Sequence, residues 1–337
     1  MSSIGDIVLT FPLLAVLKQQ FPGVQLDFVV RQEYAELLQA APSLNTVFVY
    51  DRQEGLPGLW QLRKRIRPRE YDTILDLHAN LRSVLLSTGV IGTPVYRVHK
   101  MVWRRWLLVH LKWNLYPRPI SVAEKYLQTA KPLGIPATIP REYFFIPPDV
   151  TERMAATTRE LLLQNYRVVM APGARHATKQ WPVAYYQQLI HRIATTYGWK
   201  CVLLGSREER AILETIAAPN PDFTKVFAGD FSLLESAEVI RQLPYFISND
   251  SGLMHIAAAL HKPQIAIFGP TVREFGFFPL NENAIIIEQP NLACRPCSHL
   301  GGEQCPKGHF RCMRDSTPEV VFAAFQQLVQ QKGEPNN

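Results

Sequence analysis

The sequence predicts an α/β protein with two doubly wound domains, each a parallel sheet covered by helices on both faces. Short apolar runs rich in β-branched residues alternate with amphipathic runs along nearly the whole chain of 337 residues. A proline-rich stretch over 135–148 separates two such series, and two domains suit this length at roughly 150 residues each. We therefore expect one domain over residues 1–148 and another over 149–337.

The elements follow in order along both halves. In the first half, strands are predicted over 24–30, 46–50 and 73–77, and helices over about 5–19, 31–40, 56–67 and 79–88. After a bridging helix at about 150–164, strands are predicted over 167–171, 200–204, 225–228, 245–248, 264–268 and 284–288. Helices are predicted over 183–197, 207–217, 233–242, 251–260 and 317–331. One alternative packs the last helix back on the N-terminal domain.

Charge is divided unevenly between the halves. The net charge is +7, and residues 1–150 hold 18 Lys/Arg against 12 Asp/Glu. An anionic partner is therefore expected on the first half. No apolar run approaches the roughly 20 residues of a transmembrane helix, and the N-terminus lacks the pattern of a secretory signal. These features predict a cytosolic protein with reduced thiols.

Turns rich in anion-binding groups stand where predicted strands meet helices. At the N-terminus, Ser3, Gly5 and Asp6 open the first helix, where Asp6 could accept a proton from a substrate hydroxyl or could simply cap the helix with Ser3. A second loop, over residues 171–182, contains Thr178 and Lys179 before a helix start. This arrangement suits a phosphate, although an ordinary connecting loop with a solvated lysine is the alternative.

The third turn follows the strand at 245–248. Asp250 and Ser251 are natural N-cap residues, Gly252 allows a ligand to approach the backbone, and His255 lies one helical turn after Ser251. The alternative for His255 is a satisfied, partly buried histidine. A further turn, ending in Thr271, follows the next strand. The chain has no G-x-x-x-x-G-K-[ST] loop, no G-x-G-x-x-G fingerprint and no H-E-x-x-H zinc motif.

The order of these turns is more specific than any one of them. The chain reads S-S-x-G-D, then P-G-A-x-x-x-x-K-x-W-P, then N-D-S-G-x-x-H-I-A-A-A, then F-G-P-T. This series resembles the ADP-heptose:lipopolysaccharide heptosyltransferases of glycosyltransferase family 9. The resemblance covers almost the whole chain. The ending C-x-P-C…C-P-x-G-H-x-x-C-M is similar to the heptosyltransferase II branch.

The resemblance implies a GT-B fold, in which two Rossmann-like domains face each other across a cleft. It also implies transfer of heptose from ADP-heptose to the lipopolysaccharide inner core with inversion, and with no cofactor required. Asp6 matches the family's proposed general base, and Lys179 matches the lysine at the donor diphosphate. The other residues matched to donor binding are Ser3, Gly5, Thr178, Asp250, Ser251, Gly252, His255, Thr271 and, more loosely, Glu235.

The N-terminal domain would then bind the anionic acceptor, a Kdo-lipid A-type or heptosylated core. Residues 77–123 contain seven basic side chains and no acidic one, with three tryptophans among them. Such a composition suits phosphates and the cytoplasmic face of the inner membrane, where the protein would associate peripherally. A solvated basic face with tryptophans in the core is the alternative, and no motif supports nucleic acid. The residues expected in this patch are Arg97, Lys100, Arg104 and Arg105.

Cysteines cluster near the C-terminus in the pattern C-x2-C-x7-C-x6-C. Four thiolates at this density could form a structural zinc site, and a loop of reduced, partly buried thiols is the favoured alternative. No catalytic metal is expected. The cysteines concerned are Cys294, Cys297, Cys305 and Cys312.

One feature departs from the family. Relatives carry an apolar strand directly before S-S-x-G-D, whereas here Met1 occupies its last position, so the first strand of the N-terminal domain is expected to be missing. That strand would be central in a doubly wound sheet, and its loss would leave buried backbone groups unpaired. The leading hypothesis is an inverting heptosyltransferase. The alternatives are a transferase of the same family with another sugar or acceptor, and a non-catalytic relative that binds nucleotide sugars or docks on membranes.

Overall fold

The protein divides into two compact units. The structure, a computed structural model, describes residues 3–88, 90 and 92–333. Unit 1 comprises residues 1–102 and 120–145, and unit 2 comprises residues 103–119 and 146–337. The predicted division after residue 148 lies close to the boundary at 145, but the sequence did not indicate that residues 103–119 pack with the C-terminal part.

Unit 2 is built on one six-stranded sheet. All neighbouring strands are parallel, and their order is β10-β9-β8-β5-β6-β7. The strands are β5 (Tyr166–Ala171), β6 (Lys200–Gly205), β7 (Thr224–Ala228), β8 (Tyr245–Asn249), β9 (Gln264–Ile267) and β10 (Ala284–Ile287). Each was predicted within one or two residues, because continuous apolar runs with turn residues at both ends are typical of buried parallel strands. This sheet confirms the α/β class.

Helices cover both faces of the sheet. One face contributes Val168, Met170 and Ile265, which pack in a single core with Leu189 and Phe325. The next residue along a strand points to the opposite face, where Ala266 packs against Met254. The helices of this unit are α6 (Val102–His110), α8 (Pro148–Leu163), α9 (Val183–Tyr197), α10 (Arg210–Ala217), α11 (Leu233–Gln242), α12 (Gly252–Ala259), α13 (Arg311–Arg314) and α14 (Pro318–Gln331).

The C-terminal helix α14 belongs to the core of unit 2. Val321, Phe325 and Leu328 are buried there, and Phe325 packs edge-to-face on Tyr245 of β8 with ring centroids 5.2 Å apart. Burial of aliphatic and aromatic side chains of this size contributes about 1.5–3 kcal/mol each. The alternative packing of this helix on the N-terminal domain stays a prediction.

Unit 1 has two short parallel pairs of strands rather than one sheet. β1 pairs with β2 and β3 pairs with β4, as separate two-stranded sheets within the described residues. The strands are β1 (Asp27–Arg31), β2 (Thr46–Tyr50), β3 (Ile74–Asp76) and β4 (Val95–Arg97); the helices are α1 (Ile4–Val8), α2 (Phe11–Gln20), α3 (Ala35–Gln39), α4 (Gly55–Ile66), α5 (Leu81–Ser87) and α7 (Val122–Thr129). The expected absence of a first strand concerns residues before Ser3, which lie outside the described residues.

The predicted first helix over 5–19 is two helices in the structure. The Thr10 hydroxyl donates to the Ile7 carbonyl at 2.7 Å, and α2 begins at Phe11 with Pro12 in its first turn. Proline has no N–H to continue the hydrogen bonds of a preceding helix, so the chain restarts there. Asp6 therefore lies on a separate helix of five residues.

Four of the helices and strands named above were not predicted from the sequence: β4, α6, α7 and α13. The tryptophans of α6 are exposed, so its apolar residues do not follow the pattern of one buried face. In the part of the chain that the structure describes, no helix has the length and apolar character needed to cross a membrane.

Candidate active site

The candidate site lies at the carboxyl ends of β5 and β8. These strands are neighbours in the sheet, paired from Val168↔Tyr245 to Ala171↔Ser248. From β5 the chain proceeds to β6 and β7 on one side and then returns to place β8 on the other. Such a reversal of strand order opens a crevice in which α/β sheets bind ligands. The loop carrying Lys179 follows β5, and the turn carrying Asp250 follows β8.

A buried ion pair joins these two loops. Lys179 Nζ lies 2.6 Å from Asp250 Oδ2, and only 14% and 5% of the two side chains are exposed. Thr271 lies after β9 and donates its hydroxyl to the same carboxylate oxygen at 3.0 Å. Three residues that the sequence placed on separate turns therefore form one cluster. The pairing holds the ammonium group of Lys179 in a single position.

Asn249 connects the same loops. Its side-chain amide donates to the Pro172 carbonyl, and its Oδ1 accepts from Trp181 N at 3.1 Å and from Tyr186 OH at 3.2 Å. Because Asn249 is fully buried, each of these bonds replaces one that water would otherwise make. In the sequence this residue was only the first position of the N-D-S-G motif. Its position directly before Asp250 is the sequence feature that could have identified it as a site residue.

Ser251 and His255 lie at the start of α12, beside the ion pair. The structure describes no hydrogen-bond partner for Ser251 Oγ or His255 Nδ1, and both atoms are buried. Burial lowers the pKa of His255 to about 4, although the nearby Asp250 carboxylate raises it. His255 is therefore a neutral imidazole at pH 7. The N-terminus of α12, where anions are favoured, is formed by Ser251, Gly252 and His255.

The cysteine loop, residues 294–312, packs on the loop that carries Lys179. Thr178 N and Thr178 Oγ1 both donate to the Gly302 carbonyl at 3.0 Å, and Gly302 N donates back to Thr178 Oγ1 at 2.8 Å. Gly301 has φ of +102°, and a Cβ there would lie 2.8 Å from the Cβ of His176. Glycine is thus required at 301 by both conformation and space. Thr178 acts as the contact between the two loops.

Arg295 is a site residue that sequence reasoning missed. Its guanidinium is 1% exposed and donates to the Thr271 carbonyl at 2.6 Å and to Glu288 Oε2 at 3.1 Å. The pairing with Glu288 makes burial of this cation possible. Through Thr271 it supports the residue that contacts Asp250. Its position between two cysteines gave no sign of this role.

Glu235 stands apart from the cluster. It is the third residue of α11, and its Oε2 accepts from Ser232 N at 2.9 Å in a capping box with Ser232. Its other oxygen lies 3.7 Å from Arg153 Nε. α11 follows β7, which lies two strands from β5, or about 10 Å at the usual strand spacing. Glu235 thus has a capping role in the structure. Its predicted contact with the ribose stays a prediction.

In unit 1, Asp6 and Ser3 form one small group at the start of α1. Asp6 N donates to Ser3 Oγ at 3.2 Å, and the Ser3 hydroxyl donates to Asp6 Oδ2 at 2.7 Å. Gly5 is buried between them. Tyr126 is buried in the same unit, and burial together with the Asp6 charge raises its pKa well above the usual value. The helix cap that the sequence offered as an alternative is present, and it also orients the carboxylate.

The predicted basic patch is divided between the two units. Arg97 Nε lies 3.4 Å from the buried Asp76 carboxylate, and its Nη2 donates to Ser87 Oγ at 3.0 Å. Arg97 thus takes part in an internal ion pair of unit 1, which also contains Lys100. Arg104 and Arg105 belong to unit 2, where Arg104 lies over the Trp103 ring at 5.2 Å.

The four clustered cysteines are free thiols that lie near one another. Cys297 Sγ donates to the Cys294 carbonyl at 3.2 Å, and Cys294 Sγ lies 3.8 Å from His309 Nε2. Burial and the neighbouring thiols raise the pKa of both Cys297 and Cys312 to about 11. In the described chain, no group of three or more His, Cys, Asp or Glu side chains is arranged to hold a metal ion. A cavity of about 50 Å³ lies beside Cys297, Cys305 and Cys312.

Known proteins resemble this chain over its whole length. Residues 59–307 match the sequence model of glycosyltransferase family 9 (heptosyltransferase). The chain is 28% identical over 353 residues to lipooligosaccharide heptosyltransferase 2 of Haemophilus ducreyi, covering 97% of each protein.

Two solved structures extend the likeness to the fold. The structure of Escherichia coli ADP-heptose LPS heptosyltransferase II is similar with a TM-score of 0.74 and 22% identity, covering 99% of this chain and 98% of that one. The E. coli heptosyltransferase WaaC with ADP-2-deoxy-2-fluoro heptose has a TM-score of 0.69 and 20% identity, covering 97% of each chain. These similarities confirm the GT-B architecture predicted from the sequence.

Proposed function

The chain belongs to glycosyltransferase family 9, the heptosyltransferases, and from this premise we propose that it transfers heptose from ADP-heptose to the lipopolysaccharide inner core with inversion at the anomeric carbon. Its named relatives are lipopolysaccharide and lipooligosaccharide heptosyltransferases, and it is a glycosyltransferase as they are. The donor, the acceptor and the roles of individual residues are the parts that the proposal adds.

The observation that carries the proposal is the Lys179–Asp250–Thr271 cluster at the reversal of strand order in unit 2. A nucleoside diphosphate has two adjacent anionic phosphates, which suit an oriented ammonium group beside a helix N-terminus. In this proposal the Lys179 ammonium neutralises the charge that develops on the departing ADP. The Gly252 backbone and the Ser251 hydroxyl donate to phosphate oxygens.

His255 contributes as a neutral group. Since burial holds its pKa at about 4, its ring can donate one hydrogen bond to the diphosphate and accept another without adding charge. Thr178 holds the Lys179 loop against the cysteine loop. Glu235, on the helix after β7, is proposed to contact the ribose, because two strand spacings from the diphosphate match the span of a nucleotide's sugar.

Asp6 is proposed as the general base. It accepts the proton of the acceptor hydroxyl as that oxygen attacks the anomeric carbon, while the bond from this carbon to the diphosphate oxygen breaks. The Ser3 hydroxyl, 2.7 Å from Asp6 Oδ2, orients the carboxylate so that its other oxygen can receive the proton. Charge on the leaving group is balanced by Lys179 rather than by a metal ion.

The acceptor is proposed to be a Kdo-lipid A-type or heptosylated core. Its phosphates and carboxylates match the excess of basic residues in the first 150 residues. Since the lipid anchors this acceptor in a bilayer, we infer that the enzyme works at the cytoplasmic face of the inner membrane. Lys100 and Arg105 of the predicted patch are proposed to contact acceptor anions, whereas Arg97 is engaged with Asp76.

The test is ADP release from ADP-heptose with a Kdo-lipid A-type acceptor. Asp6→Asn removes the proton acceptor while keeping its shape, and we expect kcat to fall about 100-fold or more with donor binding unchanged. Ser3→Ala is the matched control, for which a loss of about tenfold or less is expected because the base remains. Turnover that Asp6→Asn leaves unchanged contradicts the assignment of the base.

The same assay separates the alternatives. Turnover with a different nucleotide sugar in a panel would identify a transferase of this family with another donor. Binding of ADP-heptose in calorimetry without turnover on any acceptor would instead identify a non-catalytic relative.

A further inference from the structure

A short segment, residues 102–115, exposes an unusual amount of apolar surface. Trp103 and Trp106 are each 54% exposed, and Trp113 is 61% exposed. Three smaller apolar side chains in the same fourteen residues are about half exposed as well. We call this set the tryptophan surface; its members are Val102, Trp103, Trp106, Leu111, Trp113 and Leu115. Scattered exposed apolar residues are ordinary, whereas several large exposed apolar side chains close together along the chain are typical of an interaction surface.

The helix α6 presents these side chains on one face. Val102, Trp106 and His110 are spaced by four residues and Trp103 lies beside them, so they project from the same side. The Trp106 and His110 rings contact each other with centroids 5.0 Å apart. Leu108 lies on the opposite side and is buried. The helix therefore buries one leucine and directs its tryptophans outward.

The segment after the helix is fixed in place. Lys112 Nζ donates to the carbonyls of Val109, Cys294 and Pro296 at 2.8, 3.1 and 2.6 Å. Asn114 Nδ2 donates to Glu274 Oε1 at 2.7 Å. These bonds attach residues 112–114 to the cysteine loop and to the loop after β9. Leu111 and Trp113 are thus presented by an anchored chain, so binding need not order them first.

The charged side chains of the segment are basic. Residues 102–116 contain Arg104, Arg105 and Lys112 and no acidic residue. Arg104 lies over the Trp103 ring at 5.2 Å, so a guanidinium accompanies an exposed indole. Arg105 and Arg104 also lie close to Tyr116. Glu274 is an acidic side chain that contacts the segment, and it accepts a hydrogen bond from Asn114.

We propose that the tryptophan surface docks on an anionic lipid bilayer. Indole rings favour the boundary between headgroups and acyl chains, and leucine side chains favour the hydrocarbon just below. Arg104, which lies over the Trp103 ring, binds lipid phosphate and gains from the negative potential of an anionic leaflet. A protein partner for such a surface would need a carboxylate opposite Arg104, whereas a bilayer supplies phosphates at every position.

The inference names the membrane partner within the proposed function, but it does not depend on the donor or on the base. Apart from Val102, the surface belongs to unit 2, whereas Asp6 belongs to unit 1. It also changes which residues are expected at the membrane, because Arg97 of the predicted patch is bonded to Asp76. The tryptophans, rather than this cation, make the contact.

The experiment compares binding of the full-length protein to two kinds of vesicle, phosphatidylcholine alone and phosphatidylcholine with phosphatidylglycerol. The variant W103S/W106S/W113S removes the three indoles. Trp60→Ser is the matched control, because Trp60 is 59% exposed in unit 1 and has Arg63 over its ring at 5.0 Å. Thermal unfolding of each variant establishes that it is folded.

We expect the wild type and Trp60→Ser to bind the anionic vesicles equally. The affinity of the triple variant should be lower by a factor of about ten or more. Tryptophan fluorescence of the wild type should shift to the blue on binding and be quenched by lipids brominated on their acyl chains. Added salt should weaken binding without abolishing it, because the apolar contribution is not screened.

Three outcomes would overturn the proposal. These are a wild type that binds neither vesicle, a triple variant that binds as well as the wild type, and a Trp60→Ser protein that loses as much as the triple variant. Transfer to a soluble, deacylated core acceptor is measured in parallel. If the triple variant transfers heptose to it normally, the loss of binding concerns the membrane alone. If neither protein transfers heptose while the wild type binds vesicles, the proposed function fails and the docking surface stands.

Discussion

At the scale of single residues, the candidate site depends on a buried charge pair. Lys179 and Asp250 are almost completely removed from water, and their oxygen and nitrogen are 2.6 Å apart. A buried pair of this kind adds little net stability, but losing one partner leaves an uncompensated buried charge. The pair therefore makes stability and activity separable by mutation.

Lys179→Met should lower both stability and activity, and the added substitution Asp250→Asn should restore only stability. We expect the free energy of unfolding to fall by about 3 kcal/mol in Lys179→Met, because Asp250 keeps only its bond from Thr271. The double variant K179M/D250N should regain most of this loss in urea unfolding. Its kcat should remain about 100-fold below that of the wild type, because no cation faces the diphosphate.

The exposed pair of Arg192 and Glu319 provides the control. Arg192→Met should change unfolding and activity little, because solvent screens such a pair. A double variant that stays as unstable as Lys179→Met would contradict the role assigned to the buried pair.

At the scale of elements, the cysteine loop supports the loop that carries Lys179. Two bonds to the Gly302 carbonyl and one from Gly302 N pass through Thr178. Gly301 packs against His176, and Arg295 supports Thr271. The cysteine loop is thus part of the framework of the candidate donor site.

Thr178→Val tests this contact. Valine has nearly the same shape but removes the hydroxyl, which leaves Gly302 N without its partner and should cost about 1–3 kcal/mol of unfolding free energy. We also expect KM for the donor to rise, since the Lys179 loop loses its support. Thr178→Ser keeps the hydroxyl and should stay close to the wild type in both measurements. Equal effects of valine and serine would show that the methyl group, and not the hydrogen bonds, holds the loops together.

At the scale of the whole molecule, buried histidines link stability to pH. Burial lowers the pKa of His255 from 6.5 to about 4, and that of His78 likewise to about 4. The unfolded chain therefore binds these protons at a higher pH than the folded chain. The contribution of each histidine to the free energy of unfolding is therefore fully present above about pH 6.5. It decreases as the pH falls toward 4 and is lost below that value.

We expect the free energy of unfolding to decrease by about 3 kcal/mol between pH 6.5 and pH 4 on account of His255, which is 4% exposed. Urea unfolding across this range should give a shallower decline for His255→Gln than for the wild type. Part of the slope should remain, because His78 is still present. The control is His191→Gln, the same substitution at an exposed histidine. Parallel slopes for His255→Gln and the wild type would refute the assignment.

The sequence by itself determined the α/β class, the two series of strands and helices, and the turns that carry Asp6, Lys179, Asp250 and Thr271. These features are local: apolar runs, proline and glycine positions and capping residues act over a few neighbours, so the chain specifies them directly. The order of the turns was also sufficient to identify the family.

Only the tertiary structure decided which of these residues meet. The order of strands brings Lys179 and Asp250 together and leaves Glu235 two strands away. Packing buries Arg295 beside Thr271 and pairs Arg97 with Asp76, and neither contact has a periodic signal in the sequence. It also leaves the tryptophans of α6 exposed. Long-range contacts depend on how elements pack, which hydrophobic periodicity does not encode, and they determine which charges are used internally and which surfaces remain to bind a partner.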